Sequence, residues 1–294
     1  MHHSPVHKVA DVLRHNGGQA RAAELVSATS KKAVASAVRR GDITRVARGI
    51  YVLPGAASDR TTALAYQGVL SHLSAARAWG LPLLVQPEKP HIVLPPNRRP
   101  RRGPPAILHW SGTTAEERRT GVTSALRTVG DCARILPFGE ALAVADAALA
   151  AGLLLPEGLR AAATALRGPG CPNARQVAAQ ADGRAESFLE SMLRALLISE
   201  GVDGFEPQVL VRCGSAHARV DLGHRPARVA LEAEGYEFHG SPDAFAADCR
   251  RYDDLVTAGW LVLRFTYQQV LGDPHWVVAS AREAVRVRTT GGVG

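Results

Sequence analysis

The residues best able to do chemistry lie between Arg219 and His239, in the stretch R-V-D-L-G-H-R-P-A-R-V-A-L-E-A-E-G-Y-E-F-H. Its pattern predicts two short strands. One carries Val220, Asp221 and Leu222, and the other covers 228–233 with Glu232 and Glu234 at its end. Gly223-His224-Arg225-Pro226 is the expected turn between them. Apolar runs bounded by glycine and proline mark buried strands. Three carboxylates on the ends of such strands are costly unless positive charge sits among them. Their hard oxygen donors suit Mg²⁺ or Mn²⁺. Glu232 and Glu234 are two apart, so both point to one face of an extended chain. The competing reading is plainer: solvent-facing acids in salt bridges with Arg219, Arg225 and Arg228. The flanking elements decide between them.

Those elements follow in a definite order. Phe188, Leu189, Met192, Leu193, Leu196 and Leu197 give an amphipathic helix. Two paired strands, 208–213 and 216–222, turn at Cys213-Gly214-Ser215. After the acids comes a helix over 243–258, then a second buried strand in G-W-L-V-L-R-F-T. This order, together with V-D, E-A-E-G-Y-E-F-H-G and G-W-L-V-L-R-F, resembles the PD-(D/E)XK nuclease core. In detail it resembles the uncharacterised relatives of the very-short-patch-repair endonuclease, over roughly residues 184–287. The resemblance implies that Asp221 and Glu232 are metal ligands, with the carbonyl of Ala233 as a third. It also implies that Glu186, near the start of the opening helix, joins the site through water, with Glu190 a weaker candidate one turn on. The competing role for Glu186 is to stabilise the helix dipole. One departure matters: the standard motif ends in lysine, and here Glu234 holds that place, as an acid commonly does in these relatives. His239 then becomes the best general acid or base, since histidine titrates near neutral pH. Its alternative role is packing beside Tyr236 and Phe238. Arg251, on the arginine-rich helix, is placed either to stabilise phosphate charge or to form a surface salt bridge.

The chain has 294 residues, 46% of them hydrophobic, enough for two or three cored domains. No apolar run is long enough to span a bilayer, since 141–155 is broken by Asp146. The first residues lack a signal core, so a cytoplasmic location is expected. Cys132, Cys171, Cys213 and Cys249 are scattered, against a zinc ribbon or a disulfide scaffold. The net charge of +8 is uneven. Residues 1–60 hold ten basic and four acidic side chains, 61–170 hold twelve and seven, and 171–294 hold thirteen and sixteen. A basic front and an acidic back fit a nucleic-acid-holding part and a metal-holding part. A merely arginine-rich composition gives the same balance.

Residues 1–58 read as a winged helix-turn-helix. A helical stripe ends at Gly17-Gly18, a short second helix covers 21–26, and Ser30 caps a third over 31–40. Lys31, Lys32, Ser36, Arg39 and Arg40 fall on the outer side of that third helix. I-T-R-V-A-R-G-I-Y-V-L then alternates like a wing, carrying Arg45 and Arg48. A recognition helix with a basic wing suits a DNA groove and its phosphates, and a protein-contact module is the alternative. Residues 59–170 read as an α/β module: a helix over 70–79, strands at 91–94 and 107–110, and helices over 124–136 and 139–151. The proline-rich loop between the strands holds Arg98, Arg99, Arg101 and Arg102, as a phosphate clamp or a solvated excursion. His72 and His109 read as lone structural histidines. Gly168-Pro169-Gly170 suggests a boundary before a short helix over 176–181.

The phrases S-H-L-S-A-A-R-A-W-G-L and G-V-T-S-A-L-R-T-V-G-D-C-A-R-I-L-P-F, with the N-terminal segment, resemble AbiEi-type abortive-infection antitoxins. Such antitoxins repress their own promoters, so this resemblance implies DNA binding. The expectation is a multidomain α/β protein: winged helix (1–58), α/β middle module (59–170) and PD-(D/E)XK-like mixed sheet flanked by helices (180–288). Its expected activity is Mg²⁺-dependent DNA hydrolysis in repair or phage defence. The alternative is a non-catalytic regulator of a type IV toxin–antitoxin system with a degenerate nuclease core. DNA is the expected partner and a membrane is not. A toxin, a methyltransferase or a second copy of the chain is left open.

Overall fold

The structure, a computed structural model, describes residues 7–54, 58–100, 103–214, 216–235 and 242–290. The protein is multidomain α/β with three separate sheets. It forms two compact units, residues 1–80 with 85–128, and residues 81–84 with 129–294. The segment 59–170 is therefore divided between them.

The first unit begins α1 (His7–His15), β1 (Gln19–Arg21), α2 (Ala22–Ala28), α3 (Lys31–Arg39), β2 (Thr44–Ala47) and β3 (Ile50–Val52). Ser30 caps α3, its Oγ accepting from the Ala33 amide at 3.1 Å. Val9, Leu13, Leu25, Val34 and Ile43 close a small core beneath it. β2 and β3 form the expected wing, with Gly49 at φ 80° in its tip. β1 is not legible in the sequence. Three residues carry no periodicity, and this strand exists because Gln19–Arg21 pair with Ile50–Val52. The unit continues with α4 (Asp59–Tyr66), β4 (Val69–Leu70), α5 (His72–Ala78), β5 (His91–Leu94), β6 (Ile107–Trp110) and α6 (Ala115–Thr120). Its second sheet runs β4-β5-β6, with β4 antiparallel and β6 parallel to β5. The helix expected over 70–79 starts later because Val69 and Leu70 pair with Val93 and Ile92.

α7 (Ala125–Ile135) crosses from the residues of the first unit into those of the second. The second unit then holds α8 (Phe138–Ala150), α9 (Pro156–Ala165), α10 (Cys171–Gln180), α11 (Phe188–Ser199), β7 (Phe205–Cys213), β8 (Ala216–His224) and β9 (Val229–Glu234). It ends with α12 (Pro242–Thr257), β10 (Leu261–Thr266), α13 (Tyr267–Gly272) and α14 (Pro274–Thr290). The sheet order is β10-β9-β8-β7. β7, β8 and β9 are antiparallel neighbours, and α12 is the crossover that makes β10 parallel to β9. Leu222, Leu231 and Phe265 pack with Leu189 and Leu193 of α11 and Val277 of α14. Val209, Val220 and Ala230 pack with Leu255 of α12. β8 runs on to His224, so the tight turn is Arg225–Arg228 rather than 223–226.

The expected boundary at 168–170 is instead a close approach. Gly170 sits at φ 75°, where an added Cβ would lie 2.2 Å from the Arg134 carbonyl oxygen. What ties α8 to α11 is a buried ion pair. Asp146 of α8 meets Arg194 of α11 at 2.8 Å. Asp146 also accepts from Ser191 Oγ and the Asp182 amide, and Arg194 also donates to the Gln180 carbonyl. Removing one partner strands a charge in a dry site. Asp146→Ala is therefore expected to destabilise this unit by about 3–5 kcal/mol in urea denaturation, and Asp146→Leu with Arg194→Met to recover most of that loss.

Candidate functional site

Asp221 sits in β8 one residue before Leu222, which pairs with Leu231 of β9. That register sets Asp221 across from Glu232, so the two acids share one face of adjacent strands. Asp221 Oδ2 accepts from the Ala233 amide at 2.8 Å. Glu232 is only 4% exposed. Burial, then the Glu232 charge, then the Glu190 charge push the Asp221 carboxyl up to about 7, against the Ala233 hydrogen bond and Arg251. Burial also raises Glu232, opposed by Arg251.

The charge that offsets Glu232 comes from α12. Arg251 holds it with two hydrogen bonds, 3.0 Å to Oε1 and 3.3 Å to Oε2, and also donates to Asp248 and to the Arg219 carbonyl. Of the two roles expected for Arg251, the ion pair is the one the structure contains. It is half-buried and bidentate rather than a surface bridge. Glu234 shares the face of Glu232 but is drawn off toward Arg264 at 2.6 Å and the Tyr252 hydroxyl at 3.2 Å. Arg264 also reaches Asp248, and its guanidinium lies 4.2 Å from the centre of the Tyr252 ring.

Glu186 and Glu190 exchange the places expected of them. Glu186 precedes the helix, and its exposed carboxylate pairs with Arg219 at 2.8 Å. Ser187 is the N-cap, so Glu190 occupies the first turn of α11. Glu190 is buried and accepts from the Glu186 amide at 3.0 Å and from Gln208 Nε2 at 2.7 Å. Gln208 is held at φ 54°, a left-handed conformation rarely adopted inside a strand, next to the residues that pair with Val220 and Leu222. Sequence reasoning misses Gln208 entirely. Nothing in P-Q-V announces a reversed φ.

Two grooves open beside these acids, and Arg219 lines both. One, of about 700 Å³, is lined by His217, Arg219, Arg250, Arg251 and Asp254. The other, of about 860 Å³, is lined by Arg184, Glu186, Ser191 and Gln208 among others. His239, with Tyr236 and Phe238, lies outside the described residues, as do Arg101 and Arg102.

In the first unit Lys31, Lys32, Arg39 and Arg40 are exposed and Ser36 is half-exposed on the outer side of α3, while Arg45 and Arg48 are exposed on the wing. Arg40 is tied to Asp42 at 3.0 Å. Arg99 is exposed. Arg98 is fastened in the loop, its guanidinium donating to Gln67 Oε1 and its carbonyl accepting from Trp110 Nε1. His72 and His109 are not lone histidines. They converge with His91 into a set whose nitrogens lie within 4.8 Å of one another. Among the described residues this is the one group of three His, Cys, Asp or Glu side chains drawn so close. The oxygens of Asp221, Glu232 and Glu234 are thus not gathered as tightly as the sequence implied, because Arg251 and Arg264 claim two of the three.

No family model matches the chain. The chain is similar to two uncharacterized proteins of Mycobacterium tuberculosis, Rv2248 of strain H37Rv (ATCC 25618) and MT2308 of strain CDC 1551 / Oshkosh. Identity is 33% over 167 residues, which is 56% of this chain and 62% of each relative. The chain thus spans less than two thirds of the length of these curated relatives.

The raised Asp221 carboxyl has a consequence for stability. From the unfolded carboxylate range up to about pH 7 the folded protein keeps a proton that the unfolded chain has lost. Stability therefore falls as pH rises through that window, and the penalty is complete above it. Asp221→Asn is expected to raise the melting temperature of metal-free protein by roughly 2–4 °C at pH 8, and much less near pH 4, in calorimetry.

Proposed function

We infer that the second unit is a metal-dependent nuclease that hydrolyses phosphodiester bonds of DNA, and that the winged helix of the first unit supplies the grip on the duplex. The observation that carries this reading is the facing pair Asp221 and Glu232 on adjacent antiparallel strands, with buried Glu190 beside them. The element order α11-β7-β8-β9-α12-β10 and the sequence resemblance to the PD-(D/E)XK core support it.

The donors suit Mg²⁺ or Mn²⁺. They are carboxylate oxygens, and burial together with mutual repulsion raises Asp221 as a site short of positive charge would. Asp221 and Glu232 would hold the ion, with the Ala233 carbonyl as a third donor next to Glu232 in the chain. When bound, such an ion polarises a phosphodiester and lowers the pKa of an attacking water. Glu190, fixed by Gln208 and the Glu186 amide, would orient water at the edge of the acids. Arg219, Arg250 and Arg251 offer guanidinium groups to a phosphate backbone in the adjoining groove, which Asp243 and Asp254 also line. His239 stays the proposed acid or base on sequence grounds alone.

A second reading has its own observation. Arg251 already neutralises Glu232 with two hydrogen bonds, so the acids are partly satisfied without an ion. That favours a DNA-binding regulator of the antitoxin kind with a silent core. Repair, phage defence and a toxin or methyltransferase partner belong to these proposals equally.

Supercoiled plasmid with Mg²⁺ or Mn²⁺ separates the two. Nicking is expected from the wild type and about 100-fold less from Asp221→Asn or Glu232→Gln, the loss typical of removing a group that stabilises the transition state. Equal nicking by all three proteins, or none on any DNA, overturns the nuclease reading. Independently, replacing Arg39 and Arg40 by Ala is expected to weaken binding to duplex DNA in gel shifts. The slope of log K against log salt should become shallower by about 0.9 for each phosphate that is no longer neutralised.

A further inference from the structure

The three histidines of the first unit come together by register and by one unusual backbone conformation. His91 opens β5, and His109 in β6 pairs with Val93. His91 and Val93 are two residues apart on one strand, so His91 and His109 fall on the same face of the sheet. α5 packs on β5 and brings its first residue, His72, over that face. His72 is held at φ 48°, left-handed and unusual for a residue other than glycine. Its ring stacks on His109 with centroids 3.7 Å apart.

The nitrogens are close enough to share an ion. His91 Nδ1 and His109 Nε2 stand 3.0 Å apart, and all three histidines offer a nitrogen within 4.8 Å of the others. Tetrahedral coordination with bonds of about 2.0–2.1 Å sets ligand nitrogens roughly 3.3 Å apart, so an ion would replace the His91–His109 hydrogen bond and turn the stacked His72 and His109 rings toward a common point. His72 Nδ1 meets Ser71 Oγ at 3.0 Å, a contact of the kind that fixes the orientation of a ligand ring. Ser74 Oγ accepts from the His91 amide at 3.0 Å and fixes the start of β5. His91 is buried, while His72 and His109 are half-buried, so the cluster is reachable from solvent.

We propose that His72, His91 and His109 form a three-nitrogen site for a divalent late first-row metal ion, zinc in the first place, with a fourth position open to water or an exogenous ligand. Imidazole nitrogens select zinc, copper or nickel over magnesium. This site therefore differs in kind from the carboxylates of the second unit. It stands whether or not those carboxylates support hydrolysis.

The test uses the full chain carrying His2→Ala, His3→Ala and His7→Ala, so that the first residues add no imidazoles. The protein is stripped with a chelator and titrated with zinc against a chromophoric competitor, and with cobalt as a spectroscopic probe. Expected are one tight zinc per chain and a tetrahedral cobalt spectrum. His72→Ala and His109→Ala should each weaken zinc binding by about 10-fold or more. Asp221→Asn should leave it unchanged. X-ray absorption on the zinc-loaded protein, which needs no further variant, should give three imidazole ligands. Zinc bound as tightly by the His72→Ala, His109→Ala double variant, a zinc shell with fewer than three imidazoles, or no zinc binding by the parent protein overturns the proposal. Circular dichroism of each variant separates loss of the site from loss of the fold, and a variant that unfolds leaves the absorption result to decide.

Discussion

Carboxylates held out of water at one end of a four-stranded sheet are the constraint around which the second unit is built. Asp221 and Glu232 face each other across antiparallel strands, and Glu190 reaches them from α11. Like charges in a low-dielectric site repel, and each also loses hydration. The fold answers with α12. Its Arg251 grips Glu232, Asp248 holds Arg251 and Arg264, and Tyr252 is set between the two guanidinium groups. The crossover that makes β10 parallel to β9 is thus also the element that delivers the cation. Replacing buried ion pairs by well-packed hydrophobic residues is often neutral or stabilising, so stability alone gives little reason for the arrangement.

Donor type separates the two units. The acids of the second unit offer hard oxygens, and the histidines of the first offer nitrogens. Magnesium prefers the first set, and late first-row ions take imidazole readily. The basic surface of α3 and the wing lies in the unit with the histidines, while the grooves lined by Arg219 and Arg251 lie in the unit with the acids. Guanidinium groups of the kind that contact phosphate are therefore present on the surface of both units.

Much of this is legible in the sequence, and what is not has physical causes. The wing, the Ser30 cap, the strands at 91–94 and 107–110 and the crossover helix follow from local periodicity and turn chemistry, which short-range rules capture. Glu190 is easily undervalued because it lies one turn beyond Glu186, the acid that the resemblance places at the helix start. Its burial depends on Gln208, whose reversed φ has no signal in the local sequence. The histidines look solitary because no ligand spacing runs along the chain. Residues 91 and 109 meet through parallel pairing of β5 with β6, whose partners are distant in sequence, and α5 adds His72 by packing on β5. The division of the chain near residue 129 is hidden for a similar reason. α8 is apolar almost throughout, and its buried acid, Asp146, finds its partner only 48 residues later in Arg194.

The Arg251–Glu232 pair is the observation on the side of a silent core, yet a catalytic core has a use for it too. A guanidinium on a carboxylate stabilises a site that has no ion, which a silent core would need permanently. A catalytic core needs the same thing between turnovers, because bare acids at this burial would otherwise repel or take up protons. Arg251 is well suited to the temporary role. It is half-exposed, it lines the groove beside the acids, and Asp248 and the Arg219 carbonyl remain as alternative acceptors. Asp221 is not matched in this way. Its one hydrogen bond from the Ala233 amide only partly opposes burial, and its carboxyl stays at about 7. The acid with the weaker compensation is the one that a divalent ion would relieve most, and it is also the one whose strand position the sequence marks most plainly.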